Sequence, residues 1–227
     1  MTGIINGDFE SGNIAPWNVS CSSTSQSIRI VQSPVHSGKY SCCMAGPVNV
    51  SSGYTCGFQQ DLSFPLPAEF IAYFNLSRPP SATCMHPYNQ FTLFDSSLGN
   101  ALEFGLFYDS GLSAISTFFY YRGAGTYINT NLQKGAWNKY TVRIWNDHSI
   151  LLVNDVEKAT FDSTRNFKWN SITNLQVLAS CDGLWYLDDL SLNPLNAPPV
   201  PPTPPSNKTI TLNLSPDQVT SLKSQLV

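Results

Sequence analysis

Carboxylates, imidazoles and thiols are the side chains of this sequence that could carry chemistry, and their arrangement excludes most of it. The three histidines, His36, His86 and His148, lie outside any H-E-x-x-H pattern. No G-x-S-x-G elbow and no glycine-rich phosphate loop occurs. Asp188-Asp189 is an adjacent acidic pair, but neighbours on a strand point to opposite faces, so the two are not expected to flank one bond. The expectation is therefore a protein that is not an enzyme.

Six cysteines, Cys21, Cys42, Cys43, Cys56, Cys84 and Cys181, include no C-x-x-C pair. Disulfides fit better than a metal cluster, and four of the six crowd into the N-terminal part. At least one bridge is expected, involving Cys21, Cys42, Cys43 or Cys56. Sequons at Asn18, Asn49, Asn75, Asn207 and Asn213 are compatible with a secreted route.

Charged residues make up only 12% of the chain, the net charge is −3, and no Lys/Arg cluster could neutralise phosphates. Nucleic acid is thus not an expected partner. No apolar run reaches the roughly 18 residues of a membrane-spanning helix. Met1 to Asn6 has neither a basic nor an apolar leader region. An extracellular, cell-surface or virion-surface location is expected, reached after loss of a leader or by another route.

The elements that must position any site read as strands. Runs rich in β-branched and aromatic residues recur at 27–32, 39–45, 58–64, 69–77, 90–95, 101–108, 116–122, 137–145, 149–153, 171–180 and 184–192, separated by Gly, Pro, Asn and Asp. Lys139 to Trp145 alternates, with Tyr140, Val142 and Ile144 on one face. Phe118-Phe119-Tyr120-Tyr121 is informative for the same reason: in a strand, two of these aromatics must turn away from the core. The pattern predicts an all-β, antiparallel jelly-roll β-sandwich over residues 1–193. A Pro-rich linker follows at 194–206 and favours an extended spacer. Residues 207–227 read as a strand plus a short helix started by Ser215-Pro216-Asp217-Gln218, an interaction tail on a spacer.

Two stretches carry a family likeness. Ile5-Asn-Gly-Asp-Phe-Glu-Ser-Gly12, followed by Pro16-Trp17 and His36-Ser-Gly-Lys-Tyr-Ser41, together with Trp185-Tyr-Leu-Asp-Asp-Leu-Ser-Leu192, resembles the carbohydrate-binding modules of families four and nine, galactose-binding-like jelly rolls. Physically, Phe9 is expected in the core, Trp17 closing a loop over the sandwich edge, and Gly38 in a tight turn. Leu190 and Leu192 are expected to face inward with Asp188 on the same side.

The resemblance implies a structural Ca²⁺ where the first and last strands meet, with Glu10, Asp188, Asp8 and the Lys39 carbonyl as ligands. It also implies a glycan or polysaccharide partner, held by aromatic rings that stack on sugar faces and by polar groups beside them. The candidates are Tyr73, Tyr120, Tyr121, Tyr127, Arg143 and Trp145. The expected function is a non-catalytic carbohydrate-binding or adhesion module. The alternative is a structural subunit of a virion, fibre or extracellular filament, using the sandwich and the C-terminal tail for homo-oligomeric or other assembly contacts.

Overall fold

Among the described residues the chain lays down fourteen strands: β1 (Asn18–Cys21), β2 (Ser27–Val31), β3 (Ser41–Ala45), β4 (Thr55–Pro65), β5 (Ala68–Arg78), β6 (Tyr88–Asp95), β7 (Asn100–Asp109), β8 (Ala114–Tyr121), β9 (Ala124–Asn129), β10 (Trp137–Ile144), β11 (Ser149–Val153), β12 (Val156–Phe161), β13 (Ser171–Ser180) and β14 (Leu184–Pro194). This is a computed structural model; it describes residues 3–21, 27–45, 55–78, 88–109, 114–122, 124–130, 132, 134–162, 166–180 and 183–195. The chain divides into two units, Met1–Leu195 and Asn196–Val227. The second unit, and with it most of the Pro-rich linker and the whole strand–helix tail, lies outside the described residues, as do Cys84, Cys181 and His86.

The strands form two seven-stranded antiparallel sheets. The first has the order β1-β4-β13-β6-β7-β8-β9 and the second β12-β11-β10-β5-β14-β3-β2. The sandwich follows from alternation. In β5, Ala68, Phe70, Ala72, Phe74 and Leu76 are buried on one face, and Tyr140, Val142 and Ile144 of β10 join them. From the first sheet, Phe91, Leu93, Leu102, Phe104, Phe119, Leu175 and Val177 complete the core. Phe91 stacks on its neighbour Phe104 within the first sheet at 5.4 Å and, across the gap, meets Trp185 edge-on at 5.7 Å.

The N-terminal segment packs on this frame as its residue types suggest. Phe9 is fully buried and meets Phe58 edge-on, and Trp17 does the same from the neighbouring loop. Gly38 has φ +64°, the left-handed turn conformation that glycine adopts without steric cost. Gln60 clips the segment to the first sheet, accepting from the Ile5 N–H at 2.8 Å and donating to the Ile5 carbonyl at 3.2 Å. Cys21 and Cys56, opposite each other on β1 and β4, form a disulfide. Cys42 and Cys43 are buried free thiols, and burial pushes both up.

The last strand departs from simple alternation. The register of β14 against β5 shifts between Asp188 and Ser191, and Asp189 has φ +50°. This is a β-bulge, which inserts one residue and changes which side chains share a face. Leu190 and Leu192 are core residues as expected. Asp188, however, is paired with Tyr73, which alternates with Ala72 and Phe74 and so belongs to the opposite face. The expected common side for Asp188 and Leu190 is therefore wrong, because strict period-two counting does not survive the bulge. The opposite orientation expected for Asp188 and Asp189 fails for the same reason: both carboxylates hydrogen-bond the His36–Ser37 segment.

Candidate functional site

The face of the first sheet that turns away from the core carries two rows of side chains running across the strands. Cross-strand register sets the first: Asn18, Gln59, Gln176, Thr92, Glu103, Tyr120 and Gly125. The second runs beside it: Ser20, Gly57, Leu178, Gln90, Gly105, Phe118 and Tyr127. Six inter-strand spacings make each row about 29 Å long. At one end, Asn18, Val19, Ser20, Gln59, Gln176 and Leu178 border a cleft of ≈ 430 Å³.

At the other end the face is aromatic. Tyr127 meets Phe107 at 5.3 Å and Tyr120 at 5.6 Å, and Phe118 meets Tyr120 at 5.9 Å. The sequence run Phe118 to Tyr121 builds this patch by alternation. Phe119 and Tyr121 fill the core, while Phe118 and Tyr120 line the outer face. Gly125 is needed here, because a Cβ at that position would come within 2.3 Å of the Tyr120 ring. Tyr127 is 59% exposed, an unusual exposure for a large ring in a sheet.

Polar groups lie between the two ends. Gln90 donates to the Thr92 hydroxyl at 2.8 Å. Burial raises the Glu103 carboxyl, and no described residue hydrogen-bonds it. The Tyr120 hydroxyl is pushed up to about 12, first by its hydrogen bond with Tyr127, then by burial and by the charges of Tyr127 and Glu103. The seven strands of this sheet contain neither lysine nor arginine. The strand cations, Arg29, Arg78, Lys139, Arg143 and Lys158, all belong to the second sheet.

Acid–base hydrolysis of a glycosidic bond needs two carboxyl groups about 5–9.5 Å apart. Among the outward-facing strand residues of the first sheet whose side chains are described, the carboxylates are Asp61 on β4 and Glu103 on β7, separated by three inter-strand spacings, at least about 14 Å. That pair is too far apart to flank one bond. Asp61 is moreover held by the Asn174 amide at 2.9 Å.

A second cluster lies where β14, β5 and the N-terminal segment meet. Asp188 is fully buried; its Oδ2 accepts the N–H of His36 at 2.9 Å and of Ser37 at 3.3 Å, and its Oδ1 accepts the N–H of Asp189 at 2.9 Å. Burial raises its carboxyl to about 6, against the lowering effect of those amides. Asp189 binds His36 Nδ1 at 2.7 Å and the Ser37 hydroxyl at 2.9 Å. The His36 ring stacks on Tyr73 at 3.6 Å and meets Trp137 edge-on. A cleft of ≈ 490 Å³ beside it is bordered by Asn6, Asp8, Tyr73 and Asp189.

The calcium ligands implied by the resemblance fall in this region. Glu10 Oε1 accepts the backbone N–H groups of Lys39 at 2.8 Å and Tyr40 at 2.9 Å, and Asp8 Oδ1 accepts the Glu10 N–H at 3.2 Å. Among the described residues, no three carboxylate, imidazole or thiol side chains are grouped so as to hold a metal ion. Of the implied donors, both Asp188 oxygens, Glu10 Oε1 and Asp8 Oδ1 accept backbone amides.

The predicted sugar-binding residues are thus dispersed. Tyr120 and Tyr127 come together on the first sheet. Tyr121 is 2% exposed, with its hydroxyl donating to the Lys168 carbonyl, and so is a core residue and no sugar platform. Tyr73 lies on the second sheet beneath His36, and Arg143 on the same sheet pairs with Glu69 at 2.8 Å. Trp145 sits at the β10–β11 hairpin, stacked on His148 at 4.2 Å. The sequence reading missed Gln59, Gln90, Gln176 and Glu103; their signal was an outward polar position on strands that pair in register, which requires the strand order.

No protein-family model matches the chain, nor does any curated protein sequence. Solved structures do share its fold. A cellulose-induced protein, Cip1, superposes with a TM-score of 0.60 at 16% identity, over 84% of this chain and 98% of that one. An apo Crh5 transglycosylase gives 0.55 at 11% identity, over 83% of each chain. The endo-β-1,4-glucuronan lyase of the fungus Trichoderma reesei gives 0.50 at 11% identity, over 81% of this chain and 93% of that one. At these identities the similarity shows the fold alone, a jelly-roll β-sandwich.

Proposed function

We propose that this protein is a non-catalytic carbohydrate-binding module that holds a neutral polysaccharide across the outer face of its first sheet. One observation carries the reading: a continuous face about 29 Å long that offers amides at one end and an aromatic patch with a solvent-exposed Tyr127 at the other, with no strand cation. Amide and hydroxyl groups match sugar hydroxyls, and the rings match the apolar faces of pyranoses. An acidic glycan would meet Glu103 and Asp61 with nothing in the strands to neutralise it. The Cys21–Cys56 disulfide supports an oxidising, extracellular setting. Fold relatives named as a transglycosylase and an endo-β-1,4-glucuronan lyase support a saccharide as the ligand in this reading.

Affinity electrophoresis tests the reading, with gels containing hydroxyethyl cellulose, xylan, galactan or polyglucuronate. Retardation by at least one neutral polymer and none by polyglucuronate is expected. Glu103→Lys should weaken neutral binding and introduce weak retention of the acidic polymer. Retention by none of the gels overturns the proposal; equal retention by acidic and neutral polymers overturns its specificity.

A further inference from the structure

Of the sequons within the described residues, Asn18-Val19-Ser20 and Asn75-Leu76-Ser77 have opposite surroundings. Asn75 is 4% exposed and donates its amide to the Gly135 carbonyl at 2.8 Å, so a sugar on it is incompatible with this packing. Asn18 is exposed on β1, an edge strand with one partner only. Residues i and i+2 of a strand share a face, so Asn18 and Ser20 both border the ≈ 430 Å³ cleft, with Gln59 directly opposite Asn18 and Gln176 one strand further in. The acceptor amide and its required hydroxyl therefore open onto one end of the proposed polysaccharide groove.

We propose that Asn18 is an N-glycosylation site whose attached glycan occupies the Gln59–Gln176 end of the groove, so that modification and polysaccharide binding at that end exclude one another. The exclusion rests on the function proposed above; the modification does not. In the transfer, Asn18 Nδ2 bonds the anomeric carbon of an oligosaccharide carried on a lipid pyrophosphate. The bond from that carbon to the pyrophosphate oxygen breaks, the lipid pyrophosphate departs, and the amide loses one proton. A tethered sugar is presented to the groove at an effective concentration on the order of mM, which no dilute free ligand matches. The groove end built from amides would thus be filled in cis, and the aromatic end around Tyr127 left open.

The full chain is made twice, once in a bacterial host and once through a eukaryotic secretory pathway. Peptide mass mapping reads occupancy at Asn18 and Asn75, with Asn18→Gln as the mass control. Occupied Asn18 and bare Asn75 are expected in the secreted chain; bare Asn18 there overturns the site. Affinity electrophoresis then compares the two forms, and the secreted form trimmed by an endoglycosidase to one sugar, on whichever neutral polymer retards the bacterial protein. Retention about tenfold weaker in the glycosylated form, and partly regained on trimming, is expected. Equal retention of an occupied and a bare chain overturns the exclusion. If no polymer retards the bacterial protein, the proposed function fails and the exclusion with it, while the occupancy result stands by itself.

Discussion

Two regions of this sandwich collect carboxylates, amides and aromatic rings, and they use them differently. At the Asp188 end, polar atoms are turned inward to the chain: Asp188 to three backbone amides, Glu10 to two, and Asp189 to His36 and Ser37. On the outer face of the first sheet, Glu103 has no hydrogen-bonding partner among the described residues, and Tyr127 projects into solvent. Hydrogen-bonding capacity already used by the fold holds the fold; capacity left open is available to a ligand. A motif at the first region can therefore identify the architecture without identifying the binding face.

Removing a buried acceptor should give the largest effect. Asp188→Ala strands three amide donors under the 34–40 loop and is expected to cost about 3–5 kcal/mol, a fall in Tm on the order of 10 °C. Polysaccharide retention of the fraction still folded should be unaltered. A stable Asp188→Ala protein that has lost binding would invert the comparison.

Tyr127→Ala should do the reverse. Loss of the exposed ring is expected to weaken neutral-polymer binding about tenfold, as for a binding anchor worth somewhat over 1 kcal/mol, with Tm moving by no more than about 2 °C. Calorimetric titration and a melting curve on one preparation check both halves. A large fall in Tm with unchanged affinity would reassign the aromatic patch to the fold.

The pH dependence of Asp188 is a finer test. Its folded carboxyl titrates at about 6, above the ordinary 3.8, so the native state takes up the proton first. Asp188 therefore adds stability as pH falls from about 7 toward 4, and the contribution is lost as pH rises through 6. Relative to Asp188→Asn, which cannot titrate, the wild type should gain Tm between pH 7.5 and pH 4.5. A constant difference would show that this carboxyl is not raised.

Chelation is expected to have the smallest effect. With Glu10 and Asp188 bonded to amides, excess chelator should move Tm by less than about 2 °C. A fall of several degrees would show these carboxylates turning from the amides to an ion, as the family resemblance implies.

Local patterning went far toward the fold. Strands with β-branched and aromatic alternation, such as β5, β10 and β13, are legible because one face must be apolar. The three strands the pattern misses, β1, β9 and β12, are all sheet edges. Edge strands are short and polar or glycine-containing, which blunts unwanted pairing and erases the alternation that reveals a strand. Counting along one strand also cannot foresee the bulge at Asp188–Asp189, because an extra residue is defined only against a partner strand.

For the candidate site, the sequence by itself determined that two of Phe118 to Tyr121 face outward, that one or more disulfides form, and that no metalloprotease or serine-hydrolase pattern is present. Tertiary structure decided which aromatics are neighbours. Tyr120 and Tyr127 meet because β8 and β9 form a hairpin, whereas Arg143 lies on the other sheet, Trp145 at the hairpin that follows it and Tyr121 in the core. The row from Asn18 to Tyr120 joins residues scattered over about a hundred and sixty positions of sequence, and only the order β1-β4-β13-β6-β7-β8 brings them side by side. The reason is physical: alternation is fixed by backbone geometry within a strand, while strand order is fixed by how the whole apolar surface is buried between two sheets.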